Sequence, residues 1–322
     1  MSSNVCAIVV TYNRKILLEE CLQALLQQRS LLSKIFVMDN GSTDETPKLF
    51  AKAPANVVYC RYELNEPPAL RFVQGMRLGY DEGADWLWIM DDDVIPMDSS
   101  LELLLTNPSS QFSSTGCLVP LCLDNDGNLP ALGCSSPLTL RVYHHYTKED
   151  LTKSYLKVLA FCWLGCLLHR RVIDRVGFPR DELMIWYQDA DYASRVNRHF
   201  EIYAVPASHV IHKTVVSQVR SVYQIGPLHV PILDKRRLLM SFYSQRDRTY
   251  CLLRFPMPSL FRVLLCLFFF IKILMAILIF QDEKWARLKL HLVATWHGLI
   301  AKLGRCSLAE KIQNAVLATK AP

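Results

Sequence analysis

The sequence has no CxxC motif, no internal repeat and no low-complexity tract. Its eleven cysteines are scattered, and the closest pairs, Cys117 with Cys122 and Cys162 with Cys166, have no metal-type partners nearby. These absences argue against a cysteine-bound zinc site. No signal-peptide pattern opens the chain, because Met1 leads almost directly into an apolar strand. We therefore expect reduced cysteines in a cytosolic compartment.

Charged residues are also sparse, at 20%, whereas hydrophobic residues make up 51% of the 322 residues. This balance predicts a well-cored globular protein with one large or two smaller domains, and not a disordered chain. The net charge is +6, and seven basic residues fall between positions 235 and 262. Such a local bias argues against nucleic acid as a partner and suits a membrane surface with anionic lipid.

Apolar, β-branched runs alternate with helical patterns through the first hundred residues. Strands are predicted at 5–10, 34–38, 57–60 and 86–90, and helices near 17–26, 45–50 and 73–83. The alternation predicts right-handed βαβ units and a mostly parallel sheet. Ligands bind beyond the carboxyl ends of strands in such sheets, and Thr11, Asp39 and Asp91 fall at such ends.

Three consecutive aspartates, Asp91, Asp92 and Asp93, follow the fourth predicted strand. Carboxylates this close repel one another, and the pKa of one of them would normally be raised. A divalent cation removes the repulsion, because Asp91 and Asp93 can supply oxygen ligands to Mg²⁺ or Mn²⁺, which can in turn hold a diphosphate. A solvated acidic loop is the alternative. The apolar strand before the acids and Pro96 after them favour the metal site.

The middle of the chain is harder to interpret. Over residues 110–160, glycine, proline, asparagine and short apolar runs predict loops and small strands that cover the site. A helix is predicted over Arg170–Val176, ended by Gly177 and Pro179. Another helix begins at Asp189, and its first turn also carries Asp191, where the helix dipole favours negative charge.

The character of the chain changes from about Leu238. Residues 260–280 are almost entirely apolar, interrupted by Arg262 and Lys272, and approach the roughly 20 residues of a membrane span. A lysine at a bilayer centre costs about 2.5–3.5 kcal/mol. A spanning helix, an interfacial or re-entrant hairpin and a buried core helix all stay open. A second helix over 285–303 has the tryptophans and cations that suit an interface.

An ordered series of segments resembles family 2 glycosyltransferases of the GT-A fold, over roughly residues 4–255. The segments are 9–14 (opening strand), 20–28 (first helix), 37–44 (nucleotide loop), 90–94 (metal motif), 163–165 with 176–179 (acceptor side), and 187–192 with Arg195 (catalytic base). The triple aspartate, and Asp189-Ala-Asp-Tyr followed by His212, look most like the bacterial galactofuranosyltransferases, within a group that includes rhamnosyltransferases.

The resemblance implies an α/β fold of the GT-A type, Rossmann-like with a mostly parallel central sheet. We expect a catalytic domain over residues 1–235, with a nucleotide-sugar half to about 95 and an acceptor half from about 96. Residues 236–322 would then form a basic, apolar, helical extension that associates with the membrane.

The resemblance also implies an inverting transfer, in which an acceptor hydroxyl attacks the anomeric carbon as a nucleoside diphosphate leaves from the opposite face. A base must take the hydroxyl proton, and a cation must stabilise the departing diphosphate. Asp189 is the first candidate for the base and Asp191 the second. The alternative for either acid is simple N-terminal charge on an ordinary helix.

By the same resemblance, Mn²⁺ or Mg²⁺ would be held by Asp91, Asp93 and His212 through a neutral ring nitrogen. A structural role for His212 is equally open, and His209 is a competitor. The resemblance further implies that the nucleotide sugar is bound by a larger set of residues: Thr11, Asn13, Arg14, Asp39, Asn40, Arg71, Asp91, Asp92 and Trp163.

Within that set, Asp39 would accept hydrogen bonds from a uracil N–H or a sugar hydroxyl, unless it only caps the next helix. Asp91 would hold ribose or metal, and Asp92 the donor sugar. The clearest departure from the family is segment 65–72, where prolines, a leucine and Arg71 replace glycines. Such a loop is stiffer. Arg71 there either binds phosphate or covers the site from outside.

These points predict a metal-dependent transferase that uses UDP-galactofuranose and a glycan or polyprenyl-lipid-linked acceptor, in the synthesis of a surface polysaccharide such as O-antigen. We expect it at the cytoplasmic face of the inner membrane, peripheral or shallowly inserted. A dTDP-rhamnose-type rhamnosyltransferase is an alternative. A nucleotidyltransferase would need a glycine-rich phosphate loop, which Thr11–Arg14 lacks. A non-catalytic scaffold is disfavoured by the intact acids of both motifs.

Overall fold

The computed structural model describes residues 4–129, 146–184, 187–213, 222–225, 228–231 and 235–318. The strands are β1 (Val5–Thr11), β2 (Lys34–Asp39), β3 (Val57–Arg61), β4 (Trp86–Asp91), β5 (Val94–Pro96), β6 (Thr115–Leu123), β7 (Leu156–Val158), β8 (Leu164–His169), β9 (Glu201–His212), β10 (Val222–Ile225) and β11 (Leu228–Pro231). The helices are α1 (Lys15–Gln27), α2 (Pro68–Asp81), α3 (Ser100–Thr106), α4 (Arg170–Val176), α5 (Gln188–Val196), α6 (Leu238–Arg254), α7 (Ser259–Phe280), α8 (Lys284–Leu299) and α9 (Ser307–Ala318).

The described residues divide into two compact units. The first comprises those within Met1–Arg180 and Asp189–Val215. The second comprises those within Asp181–Gln188 and Val216–Pro322.

A nine-stranded mixed sheet forms the centre of the first unit, in the order β3-β2-β1-β4-β8-β6-β9-β5, with β7 paired to β9. The pairs among β3, β2, β1 and β4 are parallel, as the βαβ alternation predicts. Beyond β4, among the strands that the structure describes in this sheet, β6 and β9 pair in parallel and the other pairings are antiparallel. The sheet is therefore parallel among β3, β2, β1 and β4 and mixed beyond them, so the expectation of a mostly parallel sheet holds only for the first four of these strands.

Helices cover both faces of the parallel half. Along β1, Cys6 and Ile8 pack with α2, whereas Val5 and Ala7 pack with α1, as alternating side chains of a doubly covered strand must. Helix α2 approaches the sheet closely because Gly75 faces it: a Cβ there would lie 2.5 Å from Ile8 Cγ2. These helices fix the strand ends that form the site.

The expectation of loops and small strands over residues 110–160 is wrong for β6, a nine-residue strand buried inside the sheet. Gly116 and Pro120 weaken its strand pattern in the sequence, because both residue types are unusual inside strands. Gly116 is required because a Cβ would lie 2.6 Å from Phe200 Cβ. Pro120 sits where the β6–β9 register shifts, and such an irregularity tolerates a missing N–H. Residues 130–145 lie outside the described part of the chain.

In the second unit, α6 packs against α8 and α9. Phe242 of α6 lies in one buried cluster with Leu290 and Ala294 of α8 and with Ala309 of α9. Gly298 allows the close approach of α8, since a Cβ there would lie 2.6 Å from the Arg246 backbone oxygen. Helix α7 differs, because Leu265 and Ile277 are its only residues classed as buried.

Candidate functional site

The site lies at the carboxyl edge of the parallel strands. The register pairs Thr11 with Asp39 across β1 and β2, and Val10 with Asp91 across β1 and β4. Because parallel strands end at the same edge, the three predicted polar positions lie together. The sequence prediction of a shared edge is confirmed.

The acidic triplet is partly neutralised by residues that follow β1. Thr11 Oγ1 donates to Asp92 Oδ2 at 2.7 Å. Arg14 Nη1 donates to Asp92 Oδ1 at 3.1 Å and to Asp93 Oδ2 at 2.8 Å. Thr11 and Asp92 are both buried, at 2% exposure each. The structure therefore uses Thr11 and Arg14 to hold the acids, and it leaves the Asp92 carboxylate occupied by protein groups.

The pKa values of the three acids are shifted in different directions. Burial, followed by the charges of Asp93 and Asp92, raises the pKa of Asp91 well above its usual range. Burial also raises the pKa of Asp92, against the opposing effects of Thr11 and Arg14. Burial alone would raise the pKa of Asp93 too, but the neighbouring His212 and Arg14 outweigh it and hold that pKa below its usual value. Asp93 is thus the acid of the triplet best suited to stay ionised.

Asp93 also meets the histidine that the sequence singled out. His212 Nε2 lies 3.4 Å from Asp93 Oδ1, because β5, which begins one residue after Asp93, pairs antiparallel with β9 and sets Val94 opposite His212. Asp93 Oδ1 and His212 Nδ1 are buried without hydrogen-bond partners among the described residues. His209, the competitor, shows no contact with the acids in the described residues, and burial lowers its pKa.

Carboxylate and imidazole are suitable donors for Mn²⁺, so Asp93 and His212 fit a divalent cation by chemistry. The predicted set of Asp91, Asp93 and His212 is only partly assembled. Within the described ranges, no three His, Cys, Asp or Glu side chains are grouped so that they could hold a metal ion. Arg14, lying between Asp92 and Asp93, supplies the positive charge there instead.

Asn13 organises the loop after β2. Its backbone is left-handed, with φ of 52°, a conformation that asparagine tolerates. Its Oδ1 accepts from the Thr43 amide at 2.7 Å and the Asp44 amide at 3.2 Å, and its own amide donates to Ser42 Oγ at 2.9 Å. Asn13 therefore holds the loop in place. Its side-chain oxygen already accepts hydrogen bonds from two backbone amides, so it is not available for the predicted nucleotide-sugar contact.

Asp39 requires a correction. It is fully buried, its Oδ1 accepts from the Ser42 amide at 2.9 Å, and its Oδ2 accepts from the Tyr59 hydroxyl. Burial and the Asp39 carboxylate raise the pKa of Tyr59, whose ring stacks on Phe50 at 3.9 Å. These contacts favour the interpretation of Asp39 as a turn-forming residue over that of an acceptor for uracil. A base N–H would first have to displace the Tyr59 hydroxyl from Asp39 Oδ2.

Asn40 and Arg71 form a second internal network. Asn40 Oδ1 accepts from Arg71 Nε at 2.7 Å and from the Glu66 amide at 3.0 Å. Arg71 also donates to Gln74 Oε1 and the Leu64 backbone oxygen, and its guanidinium lies 3.7 Å from the centre of the Tyr62 ring. At 3% exposure, Arg71 is directed into the protein. This geometry contradicts the phosphate-binding interpretation.

The physical reason is that α2 begins at Pro68, five residues earlier than predicted, so Arg71 lies in its first turns and not in a loop. Proline at the first helical position is favourable there, because its missing N–H has no helical partner to lose. The proline-containing segment before α2 is held by Asn40, whose Nδ2 donates to the Glu66 backbone oxygen.

Trp163 contributes through its backbone. Its carbonyl oxygen accepts from the Asp91 amide at 3.0 Å and so joins the start of β8 to the acidic edge. The indole is 7% exposed, and its ring centre lies 5.5 Å from that of Phe72 and 5.4 Å from that of Phe161. The side chain therefore belongs to the core, and its predicted nucleotide-sugar contact is not supported by this placement.

The two acids of α5 have different surroundings. Asp189 is partly buried, and its Oδ1 accepts from the Ala190 amide at 2.8 Å. Burial raises the pKa of Asp189 and outweighs its hydrogen bonds to Cys162 and the backbone. Its charge is also close enough to raise the pKa of Asp91. The charges of Asp189 and Asp91 therefore interact, although the pKa of Asp91 is raised mainly by burial and by its two neighbouring acids.

Asp191 instead belongs to an arginine network. Its Oδ2 lies 3.5 Å from Arg180 Nε and 3.8 Å from Arg195 Nη1. Arg195 in turn donates to the backbone oxygens of Val176 and Phe178. This arrangement orders the turn after α4 and marks Asp191 as a structural ion-pair partner.

Sequence reasoning missed Tyr59 and Arg180, which bind predicted site residues. Tyr59 lies opposite Val37, two residues before Asp39 on the neighbouring strand, so strand pairing is the signal that would have found it. Arg180 follows the Gly-Phe-Pro turn and has no comparable local signal. Tyr12, 39% exposed between two predicted contacts, was also passed over.

The Glycosyl transferase family 2 model matches residues 6–177, more than half of the chain. Galactofuranosyltransferase GlfT1 of Mycolicibacterium smegmatis is 27% identical over 197 residues, which is 60% of this chain and 65% of that protein. N-acetylglucosaminyl-diphospho-decaprenol L-rhamnosyltransferase of Mycobacterium tuberculosis is 27% identical over 233 residues, 64% of this chain and 74% of that protein. The match thus spans slightly under two thirds of the galactofuranosyltransferase.

Solved structures show the same fold. GalNAc-T7 with UDP, GalNAc and Mn²⁺ has a TM-score of 0.53 at 17% identity, covering 80% of this chain and 52% of that one. The mannosyltransferase PcManGT of Pyrobaculum calidifontis, with GDP-Man and Mn²⁺, has a TM-score of 0.51 at 16% identity, covering 99% and 79%. The α/β architecture with a curled mixed sheet is therefore of the GT-A type, with a helical C-terminal region.

Proposed function

This chain belongs to glycosyl transferase family 2, and on that premise we propose that it transfers a sugar from a nucleoside diphosphate donor to an acceptor hydroxyl. The observation that carries the proposal is the acidic edge after β4, where His212 Nε2 lies 3.4 Å from Asp93 Oδ1 and the charge of Asp189 adds to the raised pKa of Asp91. These groups would supply a proton acceptor and a cation-binding edge where strands of this fold present ligands.

Asp189 is the proposed base. It would take the proton of the acceptor hydroxyl as that oxygen attacks the anomeric carbon and the diphosphate leaves from the opposite face. Its raised pKa suits this task, because a base whose pKa is nearer the working pH accepts a proton more readily. Asp191 is the weaker candidate, since its carboxylate faces Arg180 and Arg195.

Asp93 and His212 are the proposed core of a divalent-metal site, with Asp91 as a third ligand. A bound Mn²⁺ or Mg²⁺ would offset the negative charge that develops on the leaving diphosphate. Support comes from Asp93 Oδ1 and His212 Nδ1, which are buried without a hydrogen-bond partner among the described residues, and from the Mn²⁺ in the two similar structures. Arg14 holds Asp92 and Asp93 and would have to release Asp93 at least in part.

The donor we propose is UDP-galactofuranose. The support is the similarity to the mycobacterial galactofuranosyltransferase, which is 27% identical over 197 residues. The alternative donor is dTDP-rhamnose, supported by the similarity to the rhamnosyltransferase. The nucleotide contacts would come from the backbone at the end of β1, which Asn13 and Asp39 hold in place through the loop after β2, and from the accessible side of Arg14, which is 43% exposed.

The acceptor we propose is a glycan or a polyprenyl-linked sugar in the assembly of a surface polysaccharide. Residues 1–235 would carry the reaction, and 236–322 would hold the protein at the cytoplasmic face of the membrane. Helix α7 supports attachment: its 22 residues have a mean hydropathy of 3.0 in the best window, and it is the described helix long and apolar enough to cross a bilayer.

The test is donor hydrolysis and transfer with purified protein and a panel of nucleotide sugars, with and without Mn²⁺. We expect UDP-galactofuranose to be turned over and Mn²⁺ to be needed. Asp189→Asn should keep donor binding and lose transfer by about 10²–10⁴-fold, the usual contribution of a general base. Asp191→Asn is the matched control and should lose less. Unchanged transfer in Asp189→Asn would refute the base, and turnover of dTDP-rhamnose alone would refute the donor.

A further inference from the structure

Helix α7 leaves one long apolar face uncovered. Exposed apolar side chains recur along it at the heptad-like spacing of one helix face: Leu264, Leu267, Phe268, Ile271, Met275 and Leu278. This spacing places them on one side of the helix. We call this set the open face of α7. Only 11% of the most apolar 18-residue window is buried, so the described residues do not support the reading of α7 as a buried core helix.

The opposite side of α7 is packed against its own unit. Leu265 and Ile277 are buried there. The Phe270 ring stacks on His291 of α8 with centres 4.6 Å apart, and the Arg248 guanidinium of α6 lies 5.0 Å from the centre of the Phe269 ring. Helix α7 is therefore one side of a helical layer that also contains α6 and α8.

We propose that α7 lies in the plane of a membrane surface, with its open face among the acyl chains, and does not cross the bilayer. Its 22 residues extend about 33 Å, which is long enough to span. A spanning α7, however, would carry α6 and α8 to the same depth, because both pack along it. These neighbours bring Arg248 and the exposed Lys289 with them. Charged side chains at that depth are strongly disfavoured.

Lys272 fits the in-plane orientation. It is exposed, four residues after Phe268 and three before Met275, at one border of the open face. In a spanning helix this position is near the bilayer centre. In an in-plane helix the lysine stem covers apolar surface while the ammonium reaches the headgroups.

Helix α8 adds side chains typical of a headgroup region. Trp285 is 85% exposed and Trp296 is 59% exposed, and the spacing of four and seven residues puts Lys289 between them on the same side. Tryptophan and lysine together are characteristic of helices at a membrane interface. The positive charges select an anionic surface, so the partner we assign is a bilayer that contains anionic lipid.

This inference rests on the proposed site of action at a membrane and not on the sugar transferred. Flotation of the full chain tests it, using vesicles of phosphatidylcholine alone or mixed with phosphatidylglycerol. We expect binding to the mixed vesicles, loss of binding in Phe268→Glu with Ile271→Glu, and about fivefold weaker binding in Lys289→Gln. Leu151→Glu, an equivalent change on the first unit, should float like the parent.

Donor hydrolysis by the same variants in vesicle-free buffer separates the two proposals. Hydrolysis that persists while flotation is lost supports the surface. Flotation without any hydrolysis would leave the surface standing and refute the proposed function. A chain that fails to float and is dimeric in solution would assign the open face to a second copy and overturn the inference.

Orientation is decided by labelling at the two ends of α7. Ser259→Cys and Lys284→Cys bracket the helix, and a membrane-impermeant maleimide is added outside protein-loaded vesicles, with the parent as background. We expect both positions to be labelled before the vesicles are opened. Labelling of one position only, with the other reacting after detergent is added, would show a spanning helix and refute the in-plane orientation.

Discussion

At the scale of single residues, the proposed site separates carboxylates into three roles. Arg14 offsets Asp92 and Asp93, the arginines Arg180 and Arg195 face Asp191, and burial raises the pKa of Asp189. Asp189 and Asp191 lie two residues apart on α5, yet burial raises the pKa of Asp189, whereas Asp191 faces two arginines. Such a division is how neighbouring carboxylates take different chemical tasks.

The pH dependence of transfer follows from Asp189. Its ionised form is the base, and burial raises its pKa, so activity should fall with decreasing pH while an ordinary aspartate would still be ionised. The measurement is kcat/KM against pH at saturating Mn²⁺. We expect the acidic limb to lie above the ordinary value of about 3.9 and to disappear from the residual activity of Asp189→Asn. A profile that is flat down to about pH 4 would contradict the assignment.

Asn40 allows a prediction about positioning. Asn40→Ala removes the acceptor of Arg71 Nε and the Glu66 amide. Each buried donor left unpaired costs about 1–3 kcal/mol, so the free energy of unfolding should fall by at least that much. We also expect a higher KM for the donor with a smaller change in kcat, because the segment around Glu66, which the proposed function puts close to the donor, would lose its hydrogen bond to Asn40.

Asn65→Ala is the matched control for Asn40. Asn65 is exposed and loses a single bond to the Asn40 amide, so its stability should stay within about 0.5 kcal/mol of the parent. Denaturant unfolding and donor kinetics measure both variants. Equal behaviour of the two variants would mean that the network does not position the segment.

At the scale of strands and helices, glycines decide how closely the layers approach. Gly75 and Gly79 face the sheet from α2, and a Cβ at Gly79 would lie 2.6 Å from Leu87 Cδ2. Intrinsic propensity favours alanine over glycine within a helix. The structure keeps glycine because backbone-to-sheet contact leaves no room for a methyl group.

Gly75→Ala should therefore destabilise the protein despite its better helix propensity. Overpacking against Ile8 and Met38 costs about 1–3 kcal/mol, against a propensity gain of at most about 1 kcal/mol. Thermal unfolding measures the balance, with Leu78→Ala on the exposed side of α2 as a control that should change little. A higher melting temperature for Gly75→Ala would show that the sheet relaxes to accept the methyl group.

At the scale of the whole molecule, the two compact units bury their cysteines as ordinary core residues. Among the described residues no cysteine forms a disulfide, and most of the ten cysteines are buried. Burial raises the pKa of Cys21 and Cys166 well above its usual value and that of Cys122 to about 12. Such thiols are poor nucleophiles because the thiolate is the reactive form.

Thiol titration with an aromatic disulfide reagent should show this in the complete chain. In native buffer we expect rapid reaction only at partly exposed positions such as Cys60, Cys162 and Cys266. In guanidinium chloride without reductant, all eleven thiols should react. Fewer than eleven after unfolding would reveal a disulfide and contradict the expected reducing compartment.

Most of the local architecture could be predicted from the sequence. Strands β1, β2 and β4 and helix α7 were located within one or two residues, because long apolar runs and helical periodicity are local signals. Strand β6 was not predicted, because glycine and proline are unusual in strands. Gly116 is needed for the close contact with Phe200 just before β9, and Pro120 lies where the β6–β9 register shifts. The order β4-β8-β6-β9 was likewise beyond local patterns, since those strands pair across long stretches of chain.

The sequence by itself determined the family, the acidic edge and the apolar helix, because each is written in contiguous residues. Tertiary structure alone decided which polar groups are available. Asp39, Asn40 and Arg71 were reasonable ligands by residue type, but Tyr59, Glu66 and Leu64 occupy their hydrogen-bonding atoms. A side chain's chemistry is local, whereas its burial and its partners depend on segments that meet only in the folded chain.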